Sequence, residues 1–406
     1  MYIKRHIEAS VWERAREKGA IVVTGARQVG KTTLIEELKP DITRISMDDL
    51  SVRSRAAEDP AAFLGLYPPP VFMDEVQYVP ELFSYIKLSL DASRAKGAYF
   101  LTGSQSFELM RNVSESLAGR AGILELSGLS LRELRGEDWH EPFLPTLDYL
   151  LRRKEHRIPL SEKEMWVIIH RGSMPELTAE PSFQWRSFYA DYVRTYIERD
   201  VRRLTQVADE IAFLKFMTVC AAMTGQLLNL ASLAGDVGIS EPTAKRWLSV
   251  LRTSGIIYLL RPYANNAIKR AVKTPKLYFM DTGLAAYLTR WLTPETLREG
   301  AASGPFFETF AVTEMLKSYM NAGREEDFYF LRDGAGNEID LLIFQDNTLF
   351  PIEIKRRSNP TVRDMKGFSM LDALKGVMIG EGGVLCSSRD LLPLGERHKI
   401  IPLWAV

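Results

Sequence analysis

Short apolar segments alternate with amphipathic segments along the first third of the chain. Residues 21–23 are an apolar run, and residues 33–38 after them have a helical pattern. Further apolar runs lie near residues 42–46, 71–73, 98–102 and 122–126. Such alternation is typical of a parallel sheet covered by helices. We therefore predict an α/β domain over residues 1–135.

The pattern changes after this segment. A charged stretch to about residue 163 is followed by Phe188, Tyr192 and Tyr196, apolar positions at helical spacing. This region, residues 136–215, is predicted to be a linker and a helical lid.

Residues 216–270 show the order of a winged helix-turn-helix. One helix carries Leu230 and Leu233, and a second begins after a turn at Ser240, a good helix cap. The second helix would direct Lys245 and Arg246 outward, and residues 256–260 would form a wing strand. Residues 241–275 contain seven Lys or Arg and one Glu. Two interpretations remain open: contact with duplex DNA, or packing and protein contacts only.

The final segment, residues 271–406, predicts an α/β domain with a helix followed by three strands at 328–332, 338–344 and 348–355. Asp340 lies on one strand, while Glu353 and Lys355 share a face of the next. With Glu308 upstream, the order is similar to the PD-(D/E)xK nuclease core of restriction endonucleases. Such carboxylates would bind Mg²⁺ or Mn²⁺. The alternative is a nuclease-like fold in which Lys355 pairs with a carboxylate and no metal binds.

Overall composition excludes several classes of protein. Among 406 residues, Lys plus Arg and Asp plus Glu both total 52, so any surface for nucleic acid must be local. Cys220 and Cys386, the two cysteines, stand far apart without histidine partners, which argues against a disulfide framework or a zinc site and for a reducing cytoplasm. The longest apolar stretch, 211–234, contains Lys215, Gln226 and Asn229, so we expect no membrane span.

One stretch near the amino terminus carries recognisable chemistry. Residues 25–32 fit G-x-x-x-x-G-K-[ST] between a predicted strand and a predicted helix. Lys31 would contact the β- and γ-phosphates of ATP, and Thr32 would ligate Mg²⁺. The predicted ATP-binding residues are Gly25, Ala26, Arg27, Gln28, Val29, Gly30, Lys31, Thr32 and Thr33.

Carboxylates and other polar residues follow the later strands. The apolar run 71–73 ends in Asp74, which would hold Mg²⁺, and Glu75, which would orient the attacking water. Ser104, or secondly Gln105, would sense the γ-phosphate, unless this is an ordinary polar turn. Arg120 at a helix end would act on the ATP of a neighbouring subunit in a homo-oligomer, unless it is a plain surface arginine.

Together these segments resemble the AAA-type ATPases, through 25–32, 71–75, 101–104 and 116–120. They resemble more closely a prokaryotic group in which such a domain precedes a C-terminal domain of unknown function. Ala26 departs from the group, which often has proline there. The loop between Gly172 and Pro175 resembles one that related ATPases place against the nucleotide base, although a plain turn fits equally well.

The resemblance implies an ATPase that couples ATP hydrolysis to rearrangement of its C-terminal half. Two other functions remain open. The first is a slow nucleotide switch that docks DNA or a protein. The second is an ATP-regulated, metal-dependent nuclease.

Overall fold

The computed structural model describes residues 2–103, 106–180, 182–196, 210–263 and 274–406. Ser104 and Gln105, the predicted γ-phosphate sensors, lie outside the described residues. Across the described ranges, we find no helix with the length and apolar character needed to cross a membrane.

A five-stranded parallel sheet forms the amino-terminal part, as the alternating pattern predicted. Its strands are β1 (Ala20–Thr24), β2 (Thr43–Ser46), β3 (Val71–Asp74), β4 (Tyr99–Gly103) and β5 (Ala121–Glu125). They lie in the order β2-β3-β4-β1-β5. All residues of β1, β3 and β4 are buried, which explains why these strands are continuous apolar runs.

Helices cover both faces of this sheet. Ala20 and Val22 of β1 belong to one apolar core, whereas Ile21 and Val23 belong to another, because alternate strand residues face opposite sides. The helices are α1 (Glu8–Glu17), α2 (Lys31–Leu38), α3 (Leu50–Glu58), α4 (Pro60–Leu66), α5 (Glu81–Ser93) and α6 (Ser106–Ser116).

The predicted lid consists of short helices in its described part. Helix α7 (Leu131–Leu134) precedes the lid, whose helices are α8 (Leu147–Glu155), α9 (Glu162–Arg171), α10 (Pro175–Ala179) and α11 (Trp185–Tyr196). Trp166 and Tyr189 are fully buried in an apolar core that continues to the carboxyl end of the chain. The lid is therefore packed firmly on the C-terminal half.

Three helices and three antiparallel strands follow. They are α12 (Glu210–Ala222), β6 (Gln226–Leu227), α13 (Leu230–Val237), α14 (Glu241–Thr253), β7 (Ile257–Pro262) and β8 (Lys276–Phe279). The Ser240 side chain caps α14 by accepting a hydrogen bond from the backbone N–H of Thr243. Trp247 is buried on this helix, while Lys245 and Arg246 are exposed.

The C-terminal part places a long buried helix beside a sheet. Its helices are α15 (Thr282–Leu288), α16 (Pro294–Glu299) and α17 (Ser303–Asn321). Its strands are β9 (Phe328–Arg332), β10 (Glu338–Gln345), β11 (Thr348–Lys355), β12 (Met378–Ile379), β13 (Gly382–Cys386), β14 (Leu392–Leu394) and β15 (His398–Pro402). Short 3₁₀ helices occupy 362–373 and 403–405.

The predicted boundary between residues 270 and 271 does not separate two sheets. Strand β8, which lies after that boundary, pairs with β7 before it, with Ile257 opposite Phe279. Strand β7 in turn pairs in parallel with β9 through Arg261 and Tyr329. One ten-stranded sheet thus joins the two predicted domains, and Lys276–Phe279 belongs with the strands that precede it.

Candidate functional site

Two glycines shape the loop between β1 and α2. Gly25 has φ of 141°, and a Cβ atom there would lie 2.1 Å from the carbonyl oxygen of Leu126. Gly30 has φ of 93° and directly precedes α2. Side chains at these positions would clash or strain the backbone. The loop therefore leads into a helix whose first N–H groups lack intrahelical partners and suit phosphate oxygens.

Lys31 is the first residue of α2, directly after this loop. Its side chain is buried, and Nζ donates hydrogen bonds to the carbonyl oxygens of Gly25 at 3.0 Å and Ala26 at 2.7 Å. A buried ammonium needs such acceptors. Phosphate oxygens can replace the two carbonyls at low cost, because they also accept hydrogen bonds and carry charge.

Asp74, at the carboxyl end of β3, contacts two neighbouring strands and helix α2. One carboxylate oxygen accepts a hydrogen bond from Thr102 at 2.5 Å, and the other accepts from Thr32 at 2.9 Å. Arg44 on β2 lies 3.3 Å from the second oxygen. Parallel neighbouring strands bring their carboxyl ends to one edge, which explains this meeting. The hydroxyl of Thr32 and the carboxylate of Asp74 are hard oxygen donors of the kind that Mg²⁺ prefers.

Glu75 follows Asp74 with a left-handed backbone, φ 54°. Its Oε2 accepts a hydrogen bond of 2.5 Å from the side-chain amide of Gln77. Glu75 and the phosphate loop line the same cavity.

This cavity has a volume of about 430 Å³, a size typical of small-molecule sites. Most of the predicted ATP-binding residues line it, namely Arg27, Gln28, Val29, Gly30, Lys31, Thr32 and Thr33. Gly25 and Ala26 are not part of its lining. Ala26 instead borders a smaller cavity of about 30 Å³ that also involves Gly255 and Asp281.

The opposite wall is formed by the amino-terminal segment and the predicted lid loop. Tyr2, Ile3, Leu129, Pro175 and Ala179 contribute there. Pro175 thus lines the same cavity as the phosphate loop.

Arg5 lines the cavity and joins three segments beside it by hydrogen bonds. Its guanidinium donates to Oε1 of Glu133 at 3.0 Å and to the carbonyl oxygens of Val29 at 2.9 Å and Ser127 at 2.8 Å. Burial opposes ionisation of Glu133, but Arg5 and the backbone N–H groups of Ser130 and His6 outweigh it and lower the pKa of this carboxyl.

Arg120 lies far from this cavity, at the amino end of β5. Its carbonyl oxygen accepts from the N–H groups of Gly19 and Ala20, at the opposite end of β1 from the phosphate loop. Its guanidinium donates to Asp91 at 2.5 and 3.0 Å. Arg120 therefore has no contact with the nucleotide cavity of its own chain.

The four residues predicted as a second site do come together. Lys355 donates to Glu353 at 2.5 Å and lies 3.9 Å from Asp340. Glu308 approaches from α17 and accepts from Tyr278 at 2.7 Å. Burial is the main cause that raises the pKa of Glu308, and burial together with Asp340 raises the pKa of Glu353 to about 8.

A lysine that the sequence analysis did not consider occupies the centre of this cluster. Nζ of Lys276 lies 2.9 Å from Glu308 and 3.4 Å from Asp340, and it also pairs with Glu338. No group of three or more His, Cys, Asp or Glu residues in the described ranges is arranged to hold a metal ion. The prediction of Mg²⁺ or Mn²⁺ at Glu308, Asp340 and Glu353 is therefore not supported, because Lys276 already pairs with Glu308 and Asp340, and Lys355 pairs with Glu353.

Sequence reasoning also missed Arg5, Arg44 and Gln77. None belongs to a motif, and each acquires its role from a partner on another element or from the local turn after β3. Lys276 was missed as well, although the sequence carries a weak signal for it. Lys276 is a charged residue directly before the apolar run Leu277–Phe279, an unusual position for a buried strand.

Comparison with known families divides the chain into three parts. Residues 17–135 match an AAA domain family (AAA_14). Residues 162–295 match a domain of unknown function (DUF8612), and residues 303–406 match another (DUF4143).

Two sequence relatives match almost the whole chain, and solved structures match a part of it. Uncharacterized proteins of Mycobacterium tuberculosis (Rv2008c) and Mycobacterium bovis (Mb2031c) are each 27% identical over 407 residues, covering 99% of this chain and 84% of the relative. Among solved structures, the Walker-type ATPase of Pyrococcus abyssi is 15% identical, covers 71% of this chain and 96% of its own, and has a TM-score of 0.45. The RuvB Holliday junction branch migration motor of Thermotoga maritima is 16% identical, covers 63% and 87%, and has a TM-score of 0.27.

The AAA domain match covers the parallel sheet and the phosphate loop, and the remaining cavity residues come from the amino-terminal segment and the lid. ATP is the ligand that such a family implies. Residues 17–135 of this chain match an AAA domain and have the parallel sheet and the phosphate loop of a P-loop NTPase.

Proposed function

We propose that this chain binds ATP with Mg²⁺, hydrolyses it, and couples hydrolysis to a rearrangement between its ATPase domain and its C-terminal half. The observation that carries this proposal is the convergence of Lys31, Thr32 and Glu75 on one cavity, with Asp74 hydrogen-bonded to Thr32.

The chemistry divides among these residues. Lys31 exchanges its loop carbonyls for the β- and γ-phosphates, while the N–H groups at the start of α2 bind phosphate oxygens. Thr32 and Asp74 would hold Mg²⁺, which supplies charge neutralisation when bound. Glu75 accepts a hydrogen bond from the attacking water and orients it. Ser104, whose structure is not described, is proposed as the γ-phosphate sensor.

The opposite wall of the cavity would bind the base and ribose. Ile3, Leu129, Pro175 and Ala179 offer apolar surface of the kind that contacts a planar base. Pro175 connects nucleotide binding to the lid, because it lies on the lid loop.

Coupling to the C-terminal half would pass through Asp281. This buried carboxylate accepts hydrogen bonds from the backbone N–H and hydroxyl of Ser173, at 2.7 and 2.8 Å, and from the hydroxyl of Tyr189 at 2.6 Å. Ser173 lies two residues before Pro175, and Asp281 lies two residues after β8. A movement of the lid loop upon ATP binding is therefore transmitted to β8.

A second contact joins the phosphate loop to the helix pair α13 and α14. Gly255, in the turn after α14, approaches the loop so closely that a Cβ atom there would lie 3.4 Å from the backbone N of Ala26. Ala26 is the residue whose carbonyl Lys31 releases when phosphate binds. The phosphate loop and the lid loop thus both contact the segment that follows the lid.

Nucleotide titration and phosphate release test this function. Lys31→Ala should abolish or strongly weaken ATP binding, because no other described residue contributes an ammonium group to the loop. Glu75→Gln should bind ATP and lose turnover. Glu58→Gln, at an exposed carboxylate of α3, is the matched control and should turn over normally. Normal turnover by Glu75→Gln contradicts the proposal, and one turnover or fewer by the wild type would indicate a slow switch instead.

A second candidate function is binding of duplex DNA through a winged helix-turn-helix formed by α12–α14 and β6–β8. Helix α14 has 13 residues and exposes Lys245 and Arg246 beside Ser249. Exposed cations on such a helix suit phosphate backbones. Fluorescence anisotropy should show weak binding that salt abolishes and that the double change Lys245→Glu and Arg246→Glu reduces.

The control for DNA binding reverses exposed cations elsewhere, at Lys154 and Lys163. This variant should bind DNA as the wild type does. Absence of binding at low salt, or binding unchanged by the α14 reversal, would favour a protein-contact role for this segment.

We also propose a reducing compartment, the cytoplasm. Cys220 and Cys386 are both buried free thiols. Such thiols are typical of proteins that depend on no disulfide.

A further inference from the structure

The acidic cluster of the C-terminal half is organised around an internal cation. Lys276 is 2% exposed, and three carboxylates surround its ammonium group, from Glu308, Glu338 and Asp340. These carboxylates come from two separate elements, one from α17 and two from β10. Their convergence would be strongly unfavourable without a positive charge between them.

Neighbouring groups form further ion pairs and hydrogen bonds with the carboxylates of this cluster. Arg332 pairs with Glu338 at 3.0 Å, and Lys355 pairs with Glu353. The backbone N–H of Ile354 donates to Oδ2 of Asp340 at 2.8 Å. One buried acceptor, Oε2 of Glu353, has no hydrogen-bond partner. The cluster is therefore built to surround a cation, and Lys276 supplies that cation.

The backbone fixes Lys276 in this place. Lys276 is the first residue of β8, where it pairs with Leu260 of β7 on one side and Leu227 of β6 on the other. A strand held on both sides cannot withdraw one residue without losing ladder hydrogen bonds. The strand pairing thus holds the backbone of Lys276 beside the cluster, and its ion pairs place the ammonium within it.

We propose that Lys276 takes the place of a divalent metal ion in this cluster, so that the C-terminal domain is a metal-free scaffold with a latent cation site. The site would accept a hard divalent cation such as Mn²⁺ if the ammonium were removed, because the carboxylate oxygens of Glu308, Glu338 and Asp340 would then face the space that Nζ leaves. This proposal is independent of ATP hydrolysis.

Mn²⁺ binding to the full chain without nucleotide, measured by calorimetry and electron paramagnetic resonance, tests the proposal. The wild type should show no Mn²⁺ binding that Asp340→Asn removes. Lys276→Ala should bind one additional Mn²⁺ per chain, and adding Asp340→Asn should abolish this gain. Mn²⁺ should also raise the unfolding temperature of Lys276→Ala but not that of the wild type.

Lys317 provides a matched control. It is an equally buried lysine that pairs with one carboxylate, Glu314, at 2.8 Å and with the carbonyl oxygen of Leu129 at 3.0 Å. Lys317→Ala should gain no Mn²⁺ site, because a single carboxylate does not hold the ion. A gain equal to that of Lys276→Ala would overturn the proposal.

If Lys276→Ala fails to fold both with and without Mn²⁺, measurements on the wild type test the proposal. Mn²⁺ binding by the wild type that Asp340→Asn abolishes, or metal-dependent nicking of plasmid DNA that requires Asp340, would overturn the proposal. Absence of both supports it. A folded Lys276→Ala protein that binds no more Mn²⁺ than the wild type would also overturn it.

Discussion

The side-chain amide of Gln77 donates a hydrogen bond of 2.5 Å to the carboxylate of Glu75. Gln77 is 2% exposed and lies against the end of β4, where a Cβ atom on Gly103 would come within 2.2 Å of its Oε1. The absence of a side chain at Gly103 thus leaves room for Gln77. A buried amide two residues after Glu75 therefore holds the carboxylate that we propose to orient water.

Loss of this hydrogen bond should lower catalytic turnover. We expect Gln77→Leu to reduce kcat about tenfold with KM nearly unchanged, because a hydrogen bond to a charged group contributes roughly 1.5 kcal/mol or more. Steady-state phosphate release measures both constants. Nucleotide affinity and unfolding temperature serve as controls for the fold. An unchanged kcat would show that Gln77 does not position Glu75.

Asp281 should connect nucleotide binding to the C-terminal half. Asp281→Asn replaces one acceptor oxygen by a donor amide that faces the donors of Ser173 and Tyr189, and we expect a loss of about 1–3 kcal/mol in stability. We also expect ATP to stabilise this variant less than it stabilises the wild type. Urea unfolding with and without ATP measures both effects. Asp236→Asn, at an exposed carboxylate, is the control, and equal stabilisation of both variants would argue against this route.

Arg120 should act on the ATP of a neighbouring subunit. It is exposed at the end of the sheet opposite its own phosphate loop, so only a second chain could present ATP to it. Arg120→Ala should bind ATP normally and hydrolyse it slowly, and mixing with Glu75→Gln should restore part of the activity. Arg94→Ala, at an exposed arginine near the same end, is the control. Wild-type turnover that stays constant down to concentrations where the protein is monomeric would contradict the prediction.

His6 should make the protein less stable in mild acid. Burial is the main cause that lowers its pKa below 6.5, and its Nε2 lies 2.8 Å from the carbonyl oxygen of Glu137. Between the lowered pKa and 6.5 the unfolded chain binds a proton that the folded chain does not, so the free energy of unfolding falls as the pH falls. The slope from one group is at most about 1.4 kcal/mol per pH unit.

Replacement of the imidazole tests this pH dependence. His6→Gln retains a donor for the carbonyl of Glu137 and cannot titrate, so urea unfolding at pH 7.5, 6.5 and 5.5 should show a smaller loss of stability than in the wild type. His156→Gln, at an exposed histidine, should behave as the wild type. Parallel pH profiles for His6→Gln and the wild type would rule out this role.

The amino-acid sequence alone determined the ATPase domain and most of its site. The phosphate loop is a contiguous motif whose glycines and lysine have local physical roles. Asp74 could be assigned although it is distant in sequence, because parallel strands bring their carboxyl ends to one edge. Helix α14 could also be predicted from the sequence, because Ser240 caps it and Trp247 marks its buried face.

Only the tertiary structure decided how the segments meet. Arg5 acquires its role from Glu133, which lies 128 residues away, and Lys276 from carboxylates on α17 and β10. The same contacts turned an expected metal site into a lysine-centred cluster and joined two predicted domains in one sheet. The physical reason is that burial of a charge is favourable only with the right partners around it, and those partners come from remote elements whose proximity no local pattern encodes.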